Sequence, residues 1–239
     1  AITDFLGFNI NDGEYKVMGL AGYGDPIHAE FFRDEVIKFL DGKLVTDLSW
    51  FEYHKDPERS YSQKLIQKMG PPYAAGNYDK YRVTKSREFK RLADIASSAQ
   101  KCTEDILKDL VKFAIHETGV PNILMSGRVD QNCDAMMELA SSPFVKKFSV
   151  PPSPGDSGAA IGAAIFGSYV ASEKLILKPS LYPGPTNSEH STEQLFSTLF
   201  KKVENYQNVT TKIIELIQSG EATASCLLGA ETGPRALGN

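Results

Sequence analysis

Residues 154–164, Pro-Gly-Asp-Ser-Gly-Ala-Ala-Ile-Gly-Ala-Ala, constrain the fold more than any other stretch of this 239-residue chain. A strand-like run, Phe148-Ser149-Val150, precedes them and closes at Pro151-Pro152. An apolar Ala/Gly-rich run follows to about Val170 and predicts a helix. Strand, glycine turn and helix start, in that order, take the backbone through a tight corner. The helix start leaves free N–H donors and positive dipole potential, which suit a phosphate or a metal-bound nucleotide. Asp156 sits at that corner. Its carboxylate either caps the helix or faces a cation, and sequence physics alone favours the cap, since Asp and Ser are both common there. Gly155 and Gly158 flank it and let a ligand approach the backbone.

The rest of the chain supplies a setting for this corner. Ala93, Ile95, Ala96, Ala99, Cys102, Ile106, Leu107, Leu110, Val111 and Ala114 recur at helical spacing from Leu92, and Gly119 closes a long helix. Asn122-Ile-Leu-Met-Ser reads as a buried strand, Gly127 as the start of a turn, 132–141 as a helix and 144–150 as a strand. Strands alternating with helices predict βαβ units and a largely parallel sheet. Ligands in such sheets bind beyond the carboxyl ends of the strands. The turns at 126–132 and 154–158 lie there.

Glycine-dense residues 1–26 predict loops rather than a long helix. Residues 27–41 have helical spacing, 43–53 read as a strand, and polar 54–91 as a surface excursion with one short helix near 61–69. Three prolines and a glycine in 178–190 predict a linker. Beyond it, 191–220 predict one or two helices ended by Gly220, and 222–228 a strand that delivers Gly-Ala-Glu-Thr-Gly-Pro-Arg. The Ala1 start and the Gly-Pro-Arg-Ala-Leu-Gly-Asn end predict an excised piece of a longer protein.

Composition narrows the function classes. Hydrophobic content of 41% and charged content of 23% describe a globular protein with an ordinary core. A net charge of -4 and a pI near 5.7 argue against a general nucleic-acid surface. No apolar run approaches membrane-spanning length, and no basic-then-apolar leader is visible. Cys102, Cys133 and Cys226 are odd in number and widely spaced. They predict reduced thiols and a cytoplasmic setting rather than a disulfide framework or a zinc site.

Beyond Asp156, four side chains carry candidate chemistry. Asn132 follows a glycine turn and opens a helix, so it either caps or reaches a ribose or phosphate oxygen. Arg128 and Asp130 in the same turn are expected in solvent. Lys16 stands in a glycine-dense segment, where it binds an anion as a mobile point charge or covers a packed loop. Arg235, between Pro234 and Ala236, offers a fork for carboxylate or phosphate, or an inter-domain ion pair. His28, His54, His116 and His190 show no metal-ligand spacing.

Four segments, 13–24, 122–133, 154–164 and 229–239, together resemble the carbamoyltransferase family that includes nodulation-factor and antibiotic O-carbamoyltransferases. The order and approximate spacing match, and the resemblance covers nearly the whole chain. Where family members usually have Gly-Gly-Val-Ala-Leu-Asn-Cys, this chain has Ser126-Gly-Arg-Val-Asp-Gln-Asn-Cys133. They also carry a longer, Arg-containing loop before Gly-Pro-Arg-Ala-Leu-Gly.

The resemblance implies an α/β, actin-like ATPase fold, related to ribonuclease H. Residues 1–177 would be the second half of that domain, 178–190 a linker, and 191–239 the first elements of a carbamoyl-adenylate-forming domain. It implies carbamoyl phosphate and ATP as substrates, with magnesium as the nucleotide's companion ion. The acceptor would be a small-molecule or sugar hydroxyl, and a second copy of the chain a candidate partner. It also implies iron(II), with Asp156 as one ligand and two histidines upstream of Ala1. Gly127, Asn132, Gly155 and Gly158 would hold nucleotide, and Lys16 and Arg235 would stabilise developing negative charge. The isolated 239 residues are expected to be inactive. Two alternatives remain open at this stage: a tRNA threonylcarbamoyladenosine-type transferase, and a non-catalytic actin-like binding module.

Overall fold

A computed structural model describes residues 1–73, 86–172, 174, 204 and 207–223. The chain divides into two compact units, Ala1–Val150 and Pro151–Asn239. The expected linker at 178–190, the strand continuing to 228 and the terminal motif at 229–239 lie outside the described residues.

The first unit is built on one helix. Ser86 caps it, its hydroxyl accepting from the N–H of Phe89 at 3.0 Å, and Gly119 ends it in the left-handed conformation with φ of 69°. Between them α5, Arg87–Thr118, runs 32 residues, a length of about 48 Å at 1.5 Å per residue. Before it come α1 (Ile2–Phe5), α2 (Glu14–Ala21), α3 (Ala29–Phe31) with a π-helical turn over Phe32–Val36, a hairpin of β1 (Ile37–Leu40) and β2 (Lys43–Thr46), and α4 (Gln63–Met69). After it come β3 (Asn122–Leu124), α6 (Cys133–Ala140) and β4 (Lys147–Ser149).

The two halves of α5 serve two cores. Leu92, Ala93, Ile95 and Ala96 pack with Phe5, Leu6, Leu20, Trp50 and Leu65. Leu107 and Val111 pack with Ala135, Met136 and Leu139 of α6, against half-buried Ile123 and Phe148 of the β3–β4 sheet. β1 and β2 pair antiparallel, with Ile37 opposite Thr46. β3 and β4 pair in parallel, with Asn122 opposite Lys147 and Leu124 opposite Ser149. The α/β expectation holds in this mixed form.

Two sequence expectations change. Residues 27–41 are not one helix: helical spacing ends at Val36 and the chain extends from Ile37, because Phe39 has an aromatic partner in Phe113 of α5 and the strand pairs with β2. The strand at 43–53 stops at Thr46, where Asp47 caps a 3-10 turn over Leu48–Trp50 by accepting from the N–H of Ser49. The short helix near 61–69, the long helix and the turn after β3 fall where the sequence placed them. The glycine-dense start holds two short helices between its loops.

The segment after α2 is locked onto α5 at one close approach. A Cβ on Gly24 would lie 2.0 Å from the carbonyl oxygen of Ala93. Next to it the Asp25 N–H donates to Asp94 Oδ1 at 2.7 Å, and the His28 N–H donates to Ser98 Oγ at 2.9 Å. Lys90 Nζ bridges Asp25 Oδ2 at 2.5 Å and Asp94 Oδ1 at 2.7 Å.

The second unit contains α7, Ser157–Ser172, and α8, Val209–Gln218. The side chain of Asn208 caps α8 by accepting from the N–H of Thr211, and Gly220 follows its end with φ of 85°. α7 is apolar around its whole circumference yet buries no side chain, and Phe166, Tyr169 and Val170 are exposed. Among the described residues no helix is long and apolar enough to cross a membrane.

Gly24→Ala is expected to force α2 and its following loop off α5. Urea unfolding of the purified protein should show a loss of about 1–3 kcal/mol, the usual cost of overpacking a tight contact. An unchanged midpoint would show that the close approach relaxes freely.

Candidate nucleotide-binding turns

The parallel pair β3–β4 sets the site in the first unit. The Met125 N–H continues the ladder by donating to the Ser149 carbonyl at 3.1 Å, so both strands end at the same level. Past Met125 the chain must turn away, and Gly127 does this with φ of 148° and ψ of 171°, a conformation that essentially only glycine adopts. Among the described residues a Cβ at Gly127 would meet no atom within 4 Å. One 3-10 turn over Arg128–Gln131 then leads into α6.

Asn132 takes the capping role. Its Oδ1 accepts from the Ala135 N–H at 3.1 Å and from Gln100 Nε2 at 3.0 Å, while its Nδ2 donates to Gln100 Oε1 at 2.8 Å. The amide pair ties the turn to α5. Sequence reading did not single out Gln100, because nothing local marks a partner 32 residues away.

Asp130 departs from expectation. It is not in solvent: it is 7% exposed, and its Oδ2 is buried with no hydrogen-bond partner among the described residues. Burial pushes its carboxyl above the usual carboxylate range. It lies on the 3-10 turn over Arg128–Gln131, and only the folded chain reveals its burial. Arg128 remains exposed.

Lys16 lies half-buried on α2, with Nζ 5.7 Å from the centre of the Tyr15 ring. Two residues further along α2, Met18 Sδ accepts from the Cys133 thiol at 3.9 Å. The structure thus brings α2 against the first turn of α6. Cys133 is an exposed free thiol. Cys102 is buried, which pushes its thiol up to about 11. Cys226 and Arg235 lie outside the described residues.

The corner before α7 belongs to the second unit. The Gly158 N–H donates to the Gly155 carbonyl at 3.0 Å and the Ala159 N–H to the Asp156 carbonyl at 3.1 Å, so Asp156 immediately precedes the first residue of α7, Ser157. A Cβ on Gly158 would lie 1.9 Å from the carbonyl oxygen of Ser153, which is why glycine stands there. Asp156 is exposed at this corner. Among the described residues, no three His, Cys, Asp or Glu side chains gather as a metal site. An open surface cavity of about 430 Å³ lies elsewhere in the first unit, beside His28, Arg87, Lys90 and Asp94. Its carboxylate is already held by Lys90 and the Asp25 N–H, so it offers no free base.

The geometry defines an α/β protein with one glycine turn beyond a parallel strand pair and a second glycine turn opening an apolar helix. Residues 1–165 match the family profile described as "Carbamoyltransferase N-terminus". The chain belongs to this carbamoyltransferase family. An uncharacterized protein of Synechocystis is 31% identical over 250 residues, a match that covers all of this chain and 39% of that protein. Nodulation protein NolNO of Sinorhizobium fredii is 27% identical, over 98% of this chain and 32% of its own length. Nodulation protein NolO of Bradyrhizobium diazoefficiens is 25% identical, over 98% of this chain and 40% of its own length. The chain thus spans about a third to two fifths of these relatives.

The charge on Asp130 makes stability pH-dependent. Its folded pKa lies above its unfolded one, so the folded state binds the extra proton and stability falls as pH rises through that window. Thermal melts from pH 3 to 8 should show Asp130→Asn gaining on the parent protein as pH rises to neutrality, by on the order of 1 kcal/mol. Parallel melting curves across that range would show a carboxylate solvated as the sequence suggested.

Proposed function

We propose that the protein containing this chain transfers a carbamoyl group from carbamoyl phosphate to a hydroxyl of a small molecule or sugar. Carbamoyl phosphate first loses inorganic phosphate to water, leaving carbamate; a carbamate oxygen then bonds to the α-phosphorus of ATP, the bond from that phosphorus to the β-bridging oxygen breaks, and pyrophosphate leaves, giving a carbamoyl adenylate. The acceptor oxygen then bonds to the carbamoyl carbon, the bond from that carbon to the adenylate oxygen breaks, and AMP leaves with the electron pair. Family membership supports carbamoyl transfer in general terms. The observation that carries the nucleotide reading is the pair of built glycine turns. Gly127 takes a conformation that essentially only glycine adopts, and Gly158 is required by its contact with Ser153.

In this reading 1–177 is the second half of an actin-like domain. Within the first unit Gly127 and Asn132 shape a turn against which nucleotide lies, and within the second Gly155 and Gly158 shape another. Asn132 acts by holding the turn in place, since its side chain is committed to Gln100 and to the α6 cap. Lys16 on α2 and Arg235 supply positive charge as negative charge develops during transfer. Holding both substrates while excluding water makes the transfer effectively unimolecular and protects the adenylate from hydrolysis.

Iron(II) is tested by the ligand set. Asp156 offers one exposed oxygen donor, and one carboxylate does not make a metal centre. No second and third ligand join it among the described residues, so iron does not enter the steps above.

Asp156→Asn in the full-length protein separates a ligand from a cap. Asn caps about as well as Asp, so the fold should persist. A ligand role predicts that bound metal and AMP-producing turnover with carbamoyl phosphate, ATP and a sugar acceptor both fall at least about tenfold. Unchanged metal content and rate would leave Asp156 as a helix cap only.

A further inference from the structure

We infer that Gln100 is a positioning residue for the nucleotide: without touching the ligand, its amide holds Asn132 in one orientation and so fixes the backbone of the 127–132 turn in the form that binds. The inference rests on the nucleotide reading above, and it gives a helix 32 residues away in sequence a part in substrate affinity.

The turn needs a hold from outside itself. Gly127 has φ of 148° and ψ of 171°, and a glycine is free to leave such a conformation for many others. The 3-10 turn that follows is closed by the Asp130 N–H on the Gly127 carbonyl at 3.2 Å and the Asn132 N–H on the Val129 carbonyl at 2.9 Å. Hydrogen bonds of this kind have poorer geometry than those of an α-helix. Beyond the turn, Ala135, Met136 and Leu139 of α6 pack with Leu107 and Val111 of α5. Apolar packing is non-directional, so it seats α6 on α5 without setting the orientation of Asn132. The amide pair between Gln100 and Asn132 sets it.

Both ends of the pair have a fixed polarity. Asn132 Oδ1 accepts from the Ala135 N–H at 3.1 Å, which leaves Nδ2 to donate to Gln100 Oε1 at 2.8 Å. At the other end Gln100 Nε2 donates to Glu104 Oε1 at 2.8 Å, one turn further along α5, and a carboxylate only accepts. The same nitrogen donates to Asn132 Oδ1 at 3.0 Å. Turning over the Gln100 amide would set oxygen against oxygen, and turning over that of Asn132 would remove the cap from α6. Glu104 lies at i+4 from Gln100, where helix side chains are neighbours, so it holds the amide in this sense. An ionised glutamate at position 100 would have the shape of glutamine but no donor, and would meet Asn132 Oδ1 and Glu104 with oxygen alone.

Calorimetric titration of the full-length protein with ATP tests this, with turnover of ATP and carbamoyl phosphate measured beside it. Gln100→Met, which keeps the volume and loses the amide, and Gln100→Glu should each bind ATP at least about fivefold more weakly than the parent protein. The KM for carbamoyl phosphate and kcat at saturating ATP should stay within about threefold, because only the nucleotide turn has moved. Asn132→Ser keeps a helix cap but is too short to reach Gln100, so it should also lose at least about fivefold. Gln100→Met added to Asn132→Ser should cost less than about a further twofold, since one residue acts through the other. Each titration is run below the melting transition of its variant, where a residue that only stabilises the fold leaves ATP affinity unchanged. Gln100→Glu replaces Gln100→Met in the double variant if the methionine variant melts early. A smaller loss of ATP affinity in the Gln100 variants or in Asn132→Ser overturns the role of Gln100. So do additive losses in the double variant, or an equal rise in the KM for carbamoyl phosphate. In each of those cases ATP binding by the parent protein still supports the nucleotide reading. Failure of the parent protein to bind ATP overturns both readings.

Discussion

Burial along α5 positions the rest of the Ala1–Val150 unit. Its first half carries the aromatic and aliphatic core with Phe5, Trp50 and Leu65, and its second half carries the smaller core with α6 and the parallel pair. Most helical stability in a protein comes from packing of an apolar face, and α5 packs such a face along both halves. The glycine contact at Ala93 and the Asp25–Lys90–Asp94 group fix the glycine-rich start of the chain on the same helix. From the other half, Gln100 reaches Asn132 and fixes the turn beyond β3. The same helix thus carries both the core contacts and the contact to the turn.

The turn at 127–132 treats two of its polar side chains differently. Asn132 is satisfied internally, whereas Asp130 is buried with no hydrogen-bond partner for its Oδ2 among the described residues. The corner at 153–158 shows a different device. There the backbone packs so closely that only glycine fits at 158, and the helix begins where Asp156 is exposed.

Family membership and local geometry bear on different questions. The match over residues 1–165 gives the family, and the relatives are two to three times longer than the matched span. The chemistry of the whole protein therefore rests on more than this chain carries. What the chain does carry is a pair of glycine turns and the helices that hold them.

The sequence by itself determined the elements whose signals are local. Apolar spacing from Leu92 with Ser86 and Gly119 at its ends specified α5, because caps and periodicity act within one turn of the chain. The glycines at 127 and 158 marked the corners, because backbone sterics allow little else there. The helical spacing of 27–41 misled, since the pairing of Ile37 with Thr46 and the ring contact of Phe39 with Phe113 outweigh local preference. Only the tertiary structure decided between Asn132 as cap and Asn132 as ligand contact, because the deciding partner, Gln100, comes from a distant helix. It alone buried Asp130. A charged residue in a polar, glycine-marked turn reads as solvated in any local window, and its burial is visible only once the chain is folded.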